Sequence, residues 1–219
     1  MSQARDRLSK LIGRPKKVRL TRSYPGEPIH NGFVLGLGRE LVLLHQFHDF
    51  YPEGYTAVRV NDIRRVRSGK HERFWETMLR GEGLMERVGI PYEVPLDDFR
   101  SLLTALHGRG QHVIVECEDR KTAEYDDFFI GRIVAMDDES ISILHFDSIG
   151  AWYDEPSVVA YGDITQVQFD TPYINTITKY LKQTPAGDSP RSARPLGLSL
   201  DLPVVTVRMV RDQAPSRED

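Results

Sequence analysis

The sequence predicts a mainly β protein with flanking α-helices, arranged as two tandem, five-stranded, strongly bent barrels. Three observations carry this. Short apolar runs at strand period recur between turn residues. The order helix, five strands, helix occurs twice along the chain. Glycine falls within or just before the second strand of each copy, at Gly32 and Gly36 and again at Gly131, where a sharp bend brings backbones close.

Composition sets the bounds. The 219 residues are 40% hydrophobic and 28% charged, ordinary for a globular protein. Cys117 is the single cysteine, so no intramolecular disulfide forms. No apolar run reaches the roughly 18 residues of a membrane span, and the charged start at Met1–Lys10 lacks the apolar core of a signal peptide. The expectation is a cytoplasmic protein. Residues 1–90 carry 17 Lys and Arg against 10 Asp and Glu, net +7; residues 91–185 carry 7 against 17, net −10; residues 186–219 are balanced. Such a split points to a polyanion partner for the first part, or to attraction between the two parts.

Taken in order, Leu8, Leu11 and Ile12 lie at helical spacing, and Gly13 and Pro15 stop that helix. Val18 and Leu20 alternate with Lys17, Arg19 and Thr21, giving a half-exposed first strand over 16–22. Pro25-Gly26 turns the chain. Phe33–Leu37 is the second strand and Arg39-Glu40 the hairpin tip. Leu41–His45 is a third strand dense enough for burial on both faces. An aromatic loop with Phe50 and Tyr51 precedes a fourth strand, 55–60. Asn61-Asp62 turns into a fifth, 63–67. Phe74, Trp75, Met78 and Leu79 then have helical spacing.

After a connector at 84–95 the cycle restarts. Asp97 and Asp98 suit the start of a helix striped by Phe99, Leu102, Leu103 and Leu106. Strands follow at 113–118, 128–136, 140–146, 157–161 and 164–169, and a helical stripe runs from Tyr173 to Leu181. Equivalent positions lie 95 residues apart at Leu8 and Leu103, 99 at Gly32 and Gly131, 100 at His45 and His145, and 101 at Ile63 and Ile164. A slow drift concentrated in loops is what duplication leaves. The chain thus divides into a basic barrel at 1–90, an acidic barrel at 91–185, and a linker with a strand-forming tail at 186–219. In that tail Leu196, Leu198 and Leu200 alternate and Val204–Val210 is strongly β-prone.

This pattern resembles the Sm and Sm-like family, which includes the bacterial RNA chaperone called host factor. The resemblance covers roughly 5–67 and 97–169 and rests on element order, the glycine bend and the short turn between the fourth and fifth strands. It implies small barrels whose fourth and fifth strands pair between units. It also implies RNA bases held by the loop between strands two and three and by the four–five turn. Host factor carries a Lys-His pair at that turn; this chain has Asn61-Asp62 in one copy and Gly162-Asp163 in the other.

No residue pattern announces a reaction, and the expectation is a non-enzymatic module without cofactor or metal. His45, His48 and Asp49 do not share a strand face. The carboxylates at 126–127 and 137–139 sit at hairpin turns, where they are normally solvated. Gly36-Leu37-Gly38 is too short for a phosphate loop. The functional lead is a basic face: Arg14, Lys16, Lys17, Arg19 and Arg22 on the first strand and its entry, with Arg64, Arg65 and Arg67 on the fifth, suited to RNA or single-stranded nucleic acid through its phosphates. Phe50, Tyr51, Trp152 and Tyr153 would stack bases or plug the barrel mouths. The competing reading is a protein-interaction or scaffold module, with a protein partner or a second copy held through strand edges.

Overall fold

In the computed structural model the described residues are 3–119, 121 and 126–182. Among them the protein is mainly β. Ten strands form one antiparallel sheet: β1 Lys17–Arg22, β2 Ile29–Leu37, β3 Leu41–His48, β4 Tyr51–Arg59, β5 Ile63–Arg67, β6 His112–Glu118, β7 Asp126–Met136, β8 Ser140–His145, β9 Ser157–Ala160 and β10 Gln166–Phe169. Four α-helices flank it: α1 Gln3–Ser9, α2 Lys70–Gly81, α3 Phe99–Gly108 and α4 Pro172–Ile177. The strand order is β5-β1-β2-β3-β4-β10-β6-β7-β8-β9. The sheet is open. Instead of two separate closed barrels, β4 joins β10, with Gln166 opposite Val58 and Phe169 opposite Tyr55.

Registers in the two halves run in parallel. Val18 faces Gly32, and Val113 faces Gly131. Leu20 faces Val66, and Val115 faces Val167. A bulge interrupts β2 between Val34 and Gly36, and β7 between Ile133 and Ala135. At the bends only glycine fits: a Cβ on Gly32 would collide with the His45 carbonyl, and one on Gly131 with the Leu144 carbonyl. The histidine equivalence expected from spacing is corrected by one place. His145 lies opposite Gly131, whereas Gln46 lies opposite Gly32. The spacing therefore stays at 99 through both strands of that hairpin and changes in the loop beyond.

Two apolar clusters follow from strand alternation. Leu8, Val18, Leu20, Val34, Val42, Leu44, Val58, Ile63 and Val66 pack together inside the first half. The larger cluster joins Val113, Val115, Ile133, Ile141, Ile143, Val159, Ile164 and Val167 to the opposite face of β2–β4, through Phe33, Leu35, Leu41 and Leu43. α3 contributes Phe99, Leu102, Leu103 and Leu106 to this cluster, with Asp98 capping the helix through the Ser101 amide at 2.8 Å. The stretch expected as a connector, 84–95, is part of it too: Met85, Val88 and Val94 are buried there, as is Leu96 just beyond. The core thus crosses the boundary drawn at residue 90. The tail at 186–219 lies outside the described residues.

Candidate nucleic-acid interface

β1 and β5 pair as expected, with Arg19 opposite Arg67 and Thr21 opposite Arg65. Cross-strand partners share a face, so Lys17, Arg19, Arg65 and Arg67 sit on the side turned away from Val18, Leu20 and Val66. That places four of the eight predicted cations on one surface. Arg14 and Lys16 are exposed at its entry. Arg64 points to the other side, where it pairs with Glu27 at the surface.

α2 covers one end of this surface, which the sequence reading did not foresee. Glu72 pairs with Arg67 at 2.6 Å. Burial pushes the Glu72 carboxyl up, but hydrogen bonds from Arg67 and the Gly69 amide outweigh it and hold the group below its usual range. Glu76 accepts the Lys17 amide at 2.9 Å. The Lys17 ammonium lies 5.0 Å from the Trp75 ring centre, and its pKa is lowered by burial. Lys17 and Arg67 are therefore committed within the fold. Among the described residues, no salt bridge takes up Arg14, Lys16, Arg19 or Arg65. α2 also adds exposed Lys70, Arg73 and Arg80, cations that the sequence reading left out.

Arg22 is a correction. Its side chain is 1% exposed and pairs with Glu118 of the second half, while a second nitrogen donates to the Thr165 carbonyl at 3.1 Å. Thr165 also donates to Glu118 at 2.7 Å. A guanidinium so enclosed binds no external phosphate. The charge split allows attraction between a basic and an acidic half, and this pair is one such contact. Arg59, not singled out from sequence, is another: it donates to the carbonyls of Tyr161 (2.7 Å), Gly162 (3.2 Å) and Ile164 and lies over Phe99. Its only signal in the chain was a lone cation ending an apolar strand.

The aromatics divide. Phe50 is half-buried against Trp75, with ring centres 5.0 Å apart. Trp152 is half-buried beside His112 and Phe146 and donates to the Lys182 carbonyl at 3.0 Å. Both rings are packed within the fold. Tyr51 and Tyr153 stay exposed, at 74% and 56%. His45 is buried against Phe47 and Tyr55, accepts the Gly89 amide, and is pushed down to about 4 by burial, so it is neutral near pH 7. The described residues hold no group of three or more His, Cys, Asp and Glu placed to bind a metal.

At the joint, Arg59, Cys117, Glu118, Asp119, Asp127, Phe129, Val158–Ala160 and Asp163 line a cleft of about 460 Å³. Its wall is acidic, which opposes a nucleic-acid backbone. The Cys117 thiol is raised to about 12, by burial first and by Asp127 and Asp163 next, so it carries no thiolate near neutral pH.

The chain matches no protein-family model, no curated protein and no solved structure. Among the described residues no helix is long and apolar enough to cross a membrane.

Proposed function

We propose that this chain is a non-enzymatic cytoplasmic binding module made of two tandem Sm-like small barrels, left open and joined edge to edge. The outer basic face of the first takes single-stranded RNA by its phosphates. One observation carries the reading: the β1–β5 register sets Arg19 and Arg65 on one face, and no salt bridge among the described residues takes them up. Arg14, Lys16 and the α2 cations border that face. The matching registers and matching inner positions of the two halves support duplication. The Sm-like resemblance favours RNA over other polyanions, while Asp62 and Asp163 argue against a host-factor type of base pocket. Asp62 is buried and accepts the Tyr24 hydroxyl at 2.7 Å, a structural task.

The test is titration of the full chain with a single-stranded RNA over a range of salt. Binding weakens as salt rises, and Arg19→Ala with Arg65→Ala flattens the dependence of log K on log[salt] by about 0.7 for each phosphate that is no longer neutralised. Absence of binding at low ionic strength defeats the reading. A protein-interaction module is the second reading, favoured by Val158, Ile149, Phe128 and Tyr153, all exposed on the acidic half.

A further inference from the structure

We propose that the run Val204–Val210 of this chain adds as a further strand to the free edge of β9, beside the acidic cleft. The two ends of the sheet differ. Among the described residues β5 and β9 are each paired on one side only. Free edges invite pairing unless charge, proline or a bulge blunts them. β5 is blunted: Arg64, Arg65 and Arg67 make up three of its five residues. β9 reads Ser-Val-Val-Ala, with no charge and no proline, and Val158 is 70% exposed.

The joint inside the sheet shows the kind of strand such an edge accepts. β4 holds the place beside β3 that β9 holds beside β8, and β4 is paired on its far side by β10. β10 is uncharged, Gln-Val-Gln-Phe. Arg59 ends β4 opposite Leu41 and clamps the turn before β10; Ala160 ends β9 opposite Ser140 and offers no clamp.

The chain itself supplies an occupant. Lys182, the last described residue, lies next to the loop that leads into β9: its amide donates to the Gly150 carbonyl at 2.9 Å, and its carbonyl accepts from Trp152. Residues 183–219 continue from there, and Val-Val-Thr-Val-Arg-Met-Val at 204–210 is their one strongly β-prone, nearly uncharged run. About twenty residues of Pro-, Ser- and Gly-rich chain before it span the distance easily. Charge agrees. Val158–Ala160 line the cleft together with Glu118, Asp119, Asp127 and Asp163, and Arg208 and Arg211 bring two cations to it.

The experiment is amide hydrogen exchange on the full chain, with mass by light scattering. The β9 amides that β8 does not use are protected in a monomer, and Val205→Asp with Val207→Asp speeds their exchange at least about tenfold, or about 1.4 kcal/mol. Protection across β1–β2 stays unchanged and reports that the sheet is intact. Arg208→Glu produces a smaller acceleration at the same amides. Rapid exchange of those β9 amides in the unaltered chain overturns the proposal. Protection that falls on dilution, with a dimer in light scattering, also overturns it and gives the edge to a second copy.

Discussion

Phe33, Leu35, Leu41 and Leu43 point away from the inner cluster of the first half and are still buried; the positions with matching registers in the second half, Arg132, Val134, Ser140 and Ser142, are only half-buried. The strands are alike, so the difference comes from what lies over them. Met85, Val88, Val94 and Leu96 cross the outer face of β2–β4 and bring the second half with them. Covered on both faces, a strand drops its alternation and reads as a continuous apolar run; covered on one, it alternates. Ser140-Ile141-Ser142-Ile143 is the one-sided case and Leu41-Val42-Leu43-Leu44 the two-sided one. One strand plan thus serves as the middle of a sandwich or as a surface, according to its outer residues.

The seam between the halves is where the largest effect is expected. Arg22 and Cys117 occupy matching positions, two residues beyond Leu20 and Val115. Arg22→Ala leaves Glu118 enclosed without its cation and is expected to cost about 3–5 kcal/mol in urea denaturation. Replacing both partners by well-packed apolar residues, Arg22→Met with Glu118→Leu, is expected near neutral. Cys117→Ala removes a half-buried thiol and is expected to cost about 1 kcal/mol or less. Equal losses at Arg22 and Cys117 would show that the seam does not depend on the ion pair.

Most of the strand plan was legible in the sequence because its signals are local. Alternation, the glycine bends and the turn residues placed all ten strands within a few residues of where they lie. The double burial of Leu41–His45 was legible for the same reason. What escaped was non-local. Nothing in Arg22 itself says that Glu118, far along the chain, will enclose it. Nothing in the spacing of α2 says that Glu72 and Glu76 will land on the basic face. The eight-residue site follows from charge and from the pairing of the first and fifth strands, which say nothing of side-chain partners: packing ties up Lys17, Arg22 and Arg67 and turns Arg64 to another side.

The two halves also differ in their response to acid. In the first half His30 and His45 are pushed down to about 4, chiefly by burial, with Arg22 adding to the effect at His30. A folded pKa below the unfolded value means that the unfolded chain takes up protons first. Their contribution is therefore full above about pH 6.5 and is lost as pH falls from there through 4, up to about 3 kcal/mol for each. His145 and His112 of the second half are also lowered by burial. His45→Gln keeps a neutral acceptor for the Gly89 amide and is expected to flatten stability against pH across that window. If His145→Gln flattens it as much, the acid response is not seated in the first half.

The smallest effect tests the covering segment itself. Gly38 and Asp137 hold the same place at the β2–β3 and β7–β8 hairpins, each amide bonded to a carbonyl across the turn, Leu41 or Ser140. Over Gly38 the Leu96 carbonyl accepts the Leu41 amide at 3.1 Å, and any Cβ on Gly38 would strike that carbonyl and the Leu96 side chain. Asp137 is exposed, and its carboxylate accepts the Glu139 and Ser140 amides of its own turn. Gly38→Ala must then push the connecting segment off the sheet, at about 1–3 kcal/mol. Asp137→Ala loses only turn hydrogen bonds that water replaces and is expected to cost less. Exchange rates at the Leu41 amide locate the damage: faster in Gly38→Ala, unchanged in Asp137→Ala. If Gly38→Ala leaves both stability and that amide untouched, the segment does not clamp the hairpin, and the two-sided burial of β3 needs another cause.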